Sequence, residues 1–537
     1  MKGSPAGGVP PTLCRLRRGT GDEDRVCESR SPMQALVSAA EMGAAEQEAA
    51  TRGLTSAALM QLAGRGAAMA LLGGANGARR RYLVLVGPGN NGGDGLVVAG
   101  LLAGAGAPVQ IITYHRTAVS PVDPPGVPRF DLSSDPTGER LKAALGACDV
   151  VVDAILGTGR ARPIEADLAT LLREVRQAPN HPHVAALDLP TGVNADSGAT
   201  DPHALRADET LTFGYVKRGL RFSPAREAAG WVTLIDIGLP NPPAVPVIAQ
   251  APEAGDIADL LPRRPRTAHK YSVGAVLALA GSPSFVGAPI LCANGALRAG
   301  AGYVSLAVHE AARSALAARL LEPTMLIMPD DLEGAESFLR EHSGRYQALL
   351  IGPGLGRDPK TVALVRSVVS NPPRGPLAAV VDADALYALA ETERWWENAG
   401  LPIVLTPHAG EMSRLCGLRW DEIERDRPAI AHEWAKRWGQ VLVLKGAPTV
   451  VAAPEGEVRV NSTGNPLLAT AGTGDVLSGI IAAFLAGGAA PFDAATAGVY
   501  VHGLAADLAV GTYGDRGMLA GDLVGLIPVA IKRILGA

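Results

Sequence analysis

Short apolar runs alternate with longer amphipathic stretches along most of the chain, a pattern that predicts a mostly parallel α/β architecture. In the first half the pattern predicts helices near residues 93–103, 140–147 and 164–177, with strands at residues 82–86, 109–113, 150–153, 184–188 and 231–237. A second series predicts two Ala- and Gly-rich helices at residues 474–486 and 493–510, with strands at residues 273–280, 303–308, 348–351, 378–381, 402–405 and 441–444. We therefore expect two separate α/β domains.

The length of the chain also favours two domains, because 537 residues exceed the ~250–300 over which one hydrophobic core keeps growing. A proline-rich, nearly uncharged run at residues 239–254 predicts a linker, which places the domains at residues 33–238 and 255–537. Residues 1–32 show no periodicity, so we expect a disordered leader there. Past residue 32 the apolar spacing predicts an amphipathic helix that includes Met33, Leu36, Val37 and Met42.

Charge and composition argue against several classes of function. Lys and Arg total 49 against 53 Asp and Glu, and only 4% of residues are aromatic, so we expect no nucleic-acid partner. Five scattered cysteines argue against a disulfide framework or a zinc cluster and suit a reducing cytoplasm. The uncharged stretch at residues 95–114 is broken by Gly and Pro, and no apolar signal segment follows the first basic residues, so we expect no membrane span and no secretory signal.

A glycine-rich loop, GPGNNGGDG, follows the predicted strand at residues 82–86 and opens a helix. Its glycines allow positive φ and close backbone approach to a ligand, and the amides of a helix N-terminus favour phosphate. A tight strand–helix turn would explain one or two glycines, but not Asn90, Asn91 and Asp94 together. The loop is not the Rossmann fingerprint with its following ribose-binding acid, so it predicts a ligand site of another kind.

Acidic residues end two further predicted strands, at Asp153 and Asp188. Ligands of open α/β sheets bind outside the carboxyl ends of the strands, so these acids and Asp94 are expected to converge. Each acid taken alone is as well explained as a helix N-cap. Oxygens of Asn91, Asp153 and Thr191 would suit a monovalent or divalent cation.

The motifs GPGNNGGDG, DAILGTG, ALDLPTGVNADSG and TFGYVKRGL resemble the NAD(P)H-hydrate epimerase domain over about residues 33–240. The resemblance implies interconversion of the R and S epimers of hydrated NADH and NADPH (NADHX and NADPHX). It implies K⁺ binding by Asn91, Asp153 and Thr191, the last of which stands where the family commonly has Ser, and it places Asp188 at the reacting centre. The implied substrate contacts are Asp188 and Asn90, Asn91, Gly92, Gly93, Asp94, Gly157, Thr158, Gly159, Arg160, Ala161, Arg162 and Pro163.

A second glycine-rich loop, AGTGD, precedes the helix predicted at residues 474–486. Small residues let the backbone close around an anion, and Asp475 lies where a base beside a phosphate is needed, although an N-cap role would also explain an Asp there. Among other loops at strand ends, Lys445 suits a nucleotide and Glu411 could hold Mg²⁺ through water. His408 taken alone is more simply a structural histidine.

These loops, with GPGLG, DADAL, LTPHAGEM and KGAPT, resemble the ribokinase-like superfamily and within it the ADP-dependent NAD(P)H-hydrate dehydratases, over about residues 255–535. The resemblance implies that ADP phosphorylates the substrate hydroxyl with Mg²⁺ and that Asp475 accepts its proton, after which phosphate leaves. The implied substrate contacts are Ala288, Gly354, His408 and Asp475, and the implied nucleotide contacts are Lys445, Gly446, Ala447, Pro448, Thr449 and Gly474.

Both resemblances in one chain match the bifunctional NAD(P)H-hydrate repair enzymes. They imply an α/β fold of two three-layer domains, an N-terminal Rossmann-like epimerase and a C-terminal ribokinase-like dehydratase, in a cytoplasmic homo-oligomer. One alternative is a ribokinase-like kinase of vitamin-type substrates, fused to a dinucleotide-binding domain and releasing a stable phosphate ester. The other is a non-enzymatic dinucleotide sensor, against which the retained Asp94, Asp153 and Asp188 argue.

Overall fold

The computed structural model describes residues 33–73, 77–116, 122–158 and 163–536, which belong to one compact unit. The expected leader at residues 1–32 lies outside the described residues, as do Gly159, Arg160, Ala161 and Arg162 of the predicted substrate loop. None of the helices within the described ranges combines the length and apolar character needed to cross a bilayer.

The described part of the chain contains nineteen strands: β1 (Gln34–Val37), β2 (Tyr82–Val86), β3 (Val109–Thr113), β4 (Arg129–Asp131), β5 (Val150–Ala154), β6 (His183–Leu187), β7 (Glu209–Phe213), β8 (Val216–Lys217), β9 (Trp231–Ile235), β10 (Ala249–Ala251), β11 (Ala275–Leu279), β12 (Tyr303–His309), β13 (Thr324–Met328), β14 (Ala348–Ile351), β15 (Ala378–Val381), β16 (Ile403–Leu405), β17 (Val441–Leu444), β18 (Val450–Ala452) and β19 (Val458–Val460).

The same described residues form eighteen α-helices: α1 (Ala39–Thr51), α2 (Ser56–Leu72), α3 (Asn90–Gly104), α4 (Glu139–Ala147), α5 (Ala166–Arg176), α6 (Ala225–Ala229), α7 (Ala254–Leu260), α8 (Gly287–Ala299), α9 (Arg313–Ala317), α10 (Leu332–His342), α11 (Pro359–Ser370), α12 (Asp384–Ala390), α13 (Ala409–Cys416), α14 (Trp420–Arg425), α15 (Arg427–Trp438), α16 (Thr473–Ala486), α17 (Pro491–Tyr513) and α18 (Ala520–Ile534).

The first sheet is parallel throughout, with strand order β4-β3-β2-β5-β6-β7-β9. Both of its faces are covered, because alternate residues of β2 enter different hydrophobic cores: Val84 and Val86 pack into one, Leu83 and Leu85 into the other. A strand buried on both faces reads as an unbroken apolar run, which is why YLVLV predicts β2 with its observed bounds. The strands β4 and β7 were not predicted.

The second sheet begins with seven parallel strands in the order β13-β12-β11-β14-β15-β16-β17 and continues through β18-β19-β10-β1-β8. Alternate residues of β11 again enter two cores, so helices lie on both faces of this sheet too. The last three strands come from the first half of the chain or from the proline-rich segment at residues 239–254, where β10 lies. That segment therefore contributes a strand to the sheet as well as joining the two halves.

The helix predicted to run from residue 32 is wrong over its first residues. Gln34–Val37 form β1, which pairs with β10 and β8, and the helix begins only at Ala39. Ser38 separates the two elements, because its side chain accepts a hydrogen bond from the Glu41 amide while Glu41 bonds back to the Ser38 amide. This reciprocal cap makes Ser38 a helix start rather than a helix interior position.

Candidate active sites

The first glycine-rich loop joins β2 to α3 at the carboxyl edge of the first sheet. No side chain caps the N-terminus of α3, whose N-cap is Gly89. The expectation of positive φ here is wrong, since none of the glycines at residues 87–95 has one. Close contacts require glycine at two of these positions instead: a Cβ on Gly87 would lie 2.0 Å from the carbonyl oxygen of Ile155, and one on Gly92 would lie 2.0 Å from that of Gly87.

Arg116, which the sequence did not single out, holds this loop from outside. Its Nη1 donates to the carbonyl oxygens of Gly87 and Gly89, each at 3.0 Å. Nothing around Arg116 in the sequence marks it, because its partners lie almost thirty residues away. The loop is thus fixed between an arginine on one side and the β5 end on the other.

Three residues predicted to bind a cation do come together. Both oxygens of the fully buried Asp153 accept from Thr191: Oδ2 from its amide at 2.8 Å and Oδ1 from its hydroxyl at 2.7 Å. Asn91 donates through Nδ2 to the Leu156 carbonyl at 3.1 Å, while Leu156 donates to the Thr191 hydroxyl. The Asn91 Oδ1 is buried and has no hydrogen-bond partner among the described residues.

This set of oxygens fits a hard cation. Burial raises the pKa of Asp153, so its negative charge lacks solvent and is opposed only by the bonds from Thr191 and Ile155. An orphaned amide oxygen and a buried carboxylate are the groups that K⁺ or another oxygen-seeking ion would satisfy.

Asp188 ends β6 and is held in a conformation unusual for its type, with φ of 65°. Its Oδ1 lies 2.5 Å from the Nζ of Lys217, a side chain that is 1% exposed and also donates to the Phe213 carbonyl at 2.7 Å. Lys217 was quoted within TFGYVKRGL but was not predicted as a site residue. The lysine in this largely apolar stretch was the feature of the sequence that could have identified it, because a lysine that becomes buried needs an acidic partner.

Asp94, in the first turns of α3, completes the acidic group. Burial, with the charges of Asp188 and Glu46, raises the pKa of Asp94 to about 8, although Lys217 opposes the shift. At neutral pH Asp94 is therefore protonated, while the neighbouring Asp188 forms an ion pair with Lys217. Asp94 is thus a carboxylic acid that can donate a proton, and it lies close enough to Asp188 for the charge of Asp188 to raise its pKa.

The remaining predicted substrate residues surround this group unevenly. Gly92 and Gly93 are buried in α3, whereas Asn90 is exposed at its start. Gly157 packs against Asn91, and a Cβ on Gly157 would lie 3.2 Å from the Asn91 Cβ. Thr158 and Pro163 border the four residues that lie outside the described chain.

The second site is built on the start of α16. Its N-cap is Gly472, with φ of 91°, and no side chain caps the helix. Asp475 is in the first turn, so the alternative that it serves as the N-cap is wrong. Burial and the charge of Asp382 raise the pKa of Asp475 to about 7, although Lys445 lowers it. A carboxyl group poised near neutrality lies at an uncapped helix N-terminus.

Lys445 sits at the centre of the charges around Asp475. Its Nζ lies 3.0 Å from Asp382 Oδ1 and 3.7 Å from Glu411 Oε2, and a Cβ on Gly474 would lie 3.5 Å from it. Burial lowers the pKa of Lys445, but Asp382 and Glu411 outweigh burial and keep the pKa above its usual value. The predicted nucleotide residues Lys445 and Gly474 are therefore neighbours.

Asp382 was missed as a site residue, although DADAL was quoted. It ends β15 at 1% exposure and anchors Lys445. A strand-end aspartate is the same signal that drew attention to Asp153 and Asp188, but the sequence does not show that β15 and β17 end at one edge.

Two of the predicted substrate residues of this half, Gly354 and Ala288 at the start of α8, are in close contact. A Cβ on Gly354 would lie 3.0 Å from the Ala288 Cβ, and Gly281 donates to the Pro353 carbonyl at 2.8 Å. His408 is the N-cap of α13: its Nδ1 accepts from the Gly410 amide at 3.0 Å. His408 thus has a structural role whether or not it also meets a substrate.

The turn at residues 445–449 is closed by Thr449, whose hydroxyl donates to the Gly446 carbonyl at 3.1 Å. Gly446 leaves room for the buried Arg427, because a Cβ on Gly446 would lie 2.4 Å from an Arg427 nitrogen. Ala447 is exposed and Pro448 is buried within the same turn.

His502 of α17 supports the second site from behind. Its Nε2 lies 2.9 Å from the Thr473 carbonyl, and burial lowers the pKa of His502 to about 4. A neutral imidazole therefore donates to the first turn of α16. The sequence carries no signal for this contact, because Thr473 lies at the start of α16 and His502 lies in the next helix, α17.

Both sites place a titratable aspartate beside an uncapped helix N-terminus at the carboxyl edge of a parallel sheet, which defines a two-site α/β enzyme. A protein-family model described as NAD(P)H-hydrate dehydratase matches residues 276–529. A second model, described as YjeF-related protein N-terminus, matches residues 56–219. The chain belongs to the family of bifunctional NAD(P)H-hydrate repair enzymes.

Similar proteins cover nearly the whole chain. The bifunctional NAD(P)H-hydrate repair enzyme Nnr of Moorella thermoacetica is 40% identical over 93% of this chain and 97% of its own length. The enzyme of that name from Escherichia coli is 37% identical over 89% of this chain and 90% of its own. A crystal structure of the ADP/ATP-dependent NAD(P)H-hydrate dehydratase from Bacillus subtilis, co-crystallized with ATP/Mg2+, is 32% identical, covers 52% of this chain and 97% of that one, and has a TM-score of 0.47.

The family assignment and the α/β fold predicted from the motifs are confirmed. The prediction of an enzyme with fused NAD(P)H-hydrate epimerase and dehydratase activities is confirmed as well.

Proposed function

We propose that the chain repairs hydrated nicotinamide cofactors at the two sites described above. The first site epimerises R and S NADHX and NADPHX, and the second dehydrates the S epimer to NADH or NADPH at the expense of ADP, releasing AMP and phosphate. The observation that carries the proposal is that each site places an aspartate near an uncapped helix N-terminus, Asp94 in α3 and Asp475 in α16. Burial raises the pKa of both carboxyl groups, which suits proton transfer.

At the first site, epimerisation requires loss and return of water, or opening of the ring, at the hydroxyl-bearing carbon. The protonated Asp94 can donate to the departing hydroxyl, and the carboxylate of Asp188 stabilises the cationic iminium that results. Lys217 keeps Asp188 oriented. The proposed substrate contacts are those predicted from the sequence, at residues 90–94, 157–163 and 188.

We assign K⁺ to the first site, held by Asn91 Oδ1, Asp153 and Thr191. When bound, the ion would supply positive potential beside the acidic group. The residues themselves fix the geometry of the site: the Thr191 hydroxyl donates to Asp153, and Asn91 at the start of α3 donates to the Leu156 carbonyl just after β5.

At the second site the substrate hydroxyl attacks the terminal phosphorus of ADP while Asp475 accepts its proton. The bond from phosphorus to the AMP oxygen breaks, and AMP leaves. The phosphate ester then loses phosphate as the ring nitrogen donates its electron pair, which leaves a cationic iminium. Loss of a proton from the adjacent ring carbon forms the ring double bond and restores the reduced nicotinamide. The amides at the start of α16 and the charge of Lys445 offset charge on the transferring phosphoryl group.

Mg²⁺ would bind to the nucleotide phosphates with Glu411 as a ligand through water. One carboxylate plus phosphates is the set that Mg²⁺ usually takes, and Glu411 lies beside Lys445 in the acidic cluster. When bound, the ion would offset phosphate charge. A preference for ADP over ATP, a homo-oligomeric state and a cytoplasmic location stay predictions.

The decisive experiment incubates the protein with both hydrate epimers, ADP and Mg²⁺, and follows recovery of reduced nicotinamide and the epimers by chromatography. The wild-type protein should convert both epimers. Asp188→Ala should consume only the S epimer. Asp475→Ala should lose dehydration by ~10²–10⁴-fold while the epimers still interconvert.

Asp515→Ala, at an exposed aspartate paired with Arg516, is the control and should behave as wild type. Full dehydration by Asp475→Ala would refute the assigned role. Accumulation of a stable phosphate ester would instead favour the vitamin-type kinase.

A further inference from the structure

A pocket of about 310 Å³ lies between the two halves of the chain and is lined by residues that neither site described above uses. One wall comes from the segment around α6 and β9 and the other from the residues after β19; the residues that matter here are Leu220, Arg221, Arg226, Trp231, Asn461 and Ser462. Its volume is at the lower end of that of small-molecule sites.

The walls of this interhalf pocket are held in fixed positions. One hydrophobic core contains Leu220 of the first half together with Val458 and Val460 of the second. An ion pair between Arg218 and Asp426, at 3.2 Å, also joins the halves. The pocket is therefore a built feature of the fold rather than a gap between loosely joined parts.

Two arginines give the pocket positive charge. Arg221 is half-buried, its Nη2 donates to Gln34, and its Nε has no hydrogen-bond partner in the described chain. Neither Arg221 nor Arg226 has an ion-pair partner within the described residues, and no acidic residue lines the pocket. Burial and the charge of Arg226 lower the pKa of Arg221, while Glu253 raises it. Two guanidinium groups that repel each other beside a cavity favour an anion there.

An aromatic surface lies next to these charges. Trp231 is 76% exposed, which is unusual for so large an apolar side chain. Gly230, before it, cannot carry a side chain because a Cβ would lie 2.2 Å from the Asp208 carbonyl oxygen. An exposed indole ring beside arginines suits a ligand that combines a planar base with phosphate.

The pocket adjoins the second site without sharing the residues assigned to it. The amide of Asn461 donates to the Thr449 carbonyl at 3.0 Å, so only one backbone contact separates a pocket residue from a predicted nucleotide residue. None of the residues lining the pocket was assigned to substrate, nucleotide or cation.

We propose that the interhalf pocket is a further nucleotide-binding site, in which Arg221 and Arg226 bind the phosphates and Trp231 stacks on the base. Adenine nucleotides and the adenosine end of the nicotinamide dinucleotides share this chemistry. The site is separate from the catalytic ones and goes beyond the proposed function.

The test is calorimetric titration of the full-length protein with ADP, AMP, NADP⁺ and orthophosphate. Arg226→Glu and Trp231→Ala change exposed side chains, and Trp420→Ala is the matched control, since Trp420 is also exposed. Lys445→Met weakens the catalytic nucleotide site and so separates the two sites. We expect a second class of ADP sites that survives in Lys445→Met and Trp420→Ala, is at least ~10-fold weaker in Trp231→Ala, and is lost in Arg226→Glu.

Preference for ADP and AMP over NADP⁺ identifies a mononucleotide site, and the opposite preference identifies a dinucleotide site; both support the proposal. Unchanged ADP binding in Arg226→Glu overturns it. If orthophosphate binds as tightly as ADP, the assignment to a nucleotide is overturned. If the titration shows one class of ADP sites, weakened by Lys445→Met and also by Arg226→Glu, the pocket is not a separate site and the proposal is overturned. If the wild-type protein shows the second class of ADP sites but does not dehydrate NADHX, the proposed function fails and the pocket proposal stands.

Discussion

Replacing Lys217 by Met tests the electrostatic design of the first site. Lys217 is 1% exposed and lies 2.5 Å from the Asp188 carboxylate, which is itself 7% exposed. Methionine fills much of the same volume but carries no charge, so Asp188 would keep its burial and lose its cation. The substitution removes one partner of a buried ion pair and leaves the packing largely intact.

The expected cost follows from that geometry. Breaking a buried pair by removing one partner costs about 3–5 kcal/mol, because the remaining charge is left without water and without its counter-ion. For a domain of this size, roughly 2–4 °C of melting temperature are lost per kcal/mol, so the transition of the epimerase half should fall by roughly 6–20 °C. Epimerisation should fall too, since Asp188 is no longer oriented.

The assay is differential scanning calorimetry combined with epimer exchange measured on the same protein. Lys142→Met removes an exposed lysine of α4 and is the matched control, for which neither quantity should change. The double variant Lys217→Met with Asp188→Asn removes both charges. It should regain part of the stability, because no unpaired charge is left buried, but it should not regain epimerisation.

Two results would refute this reasoning. A melting transition of Lys217→Met equal to that of Lys142→Met would mean that the pair contributes nothing to folding. Recovery of epimerisation in the double variant would mean that the charge of Asp188 is not needed for the reaction.

Three further predictions concern packing and pH. Gly87→Ala should destabilise the first half by about 1–3 kcal/mol in urea unfolding, because its Cβ would overlap the Ile155 carbonyl, whereas Gly89→Ala, with nothing within 4 Å, should be neutral. The pKa of His502, about 4 when folded against 6.5, makes stability fall as pH drops through that window, so His502→Gln should flatten melting temperature against pH. The pKa of Asp475 is raised to about 7 in the folded protein, so the free energy of unfolding falls as pH rises through 7. Asp475→Asn removes this effect and should stabilise the second half by about 1–3 kcal/mol at alkaline pH. The same variant should abolish dehydration.

Much of the fold was predictable because buried parallel strands are apolar on both faces. The runs that form β2, β14, β15 and β17 were predicted with their observed bounds. The strands β1, β8 and β10 were not predicted, since each has two to four residues and an apolar pattern that a helix also allows. Their pairing with one another and with β19 joins segments far apart in the chain, which a local pattern does not encode.

By itself, the sequence determined the chemistry of the two loops. Glycines where no Cβ fits, an aspartate in the first turns of each following helix, and acids at strand ends are all local features, visible without a structure. Tertiary structure alone decided the charge state of those acids. Lys217 meets Asp188, Asp382 anchors Lys445, and the Asn91 oxygen stays without a partner only after distant segments fold together. The physical reason is that burial and Coulomb interaction depend on distance in space, whereas the sequence records only distance along the chain.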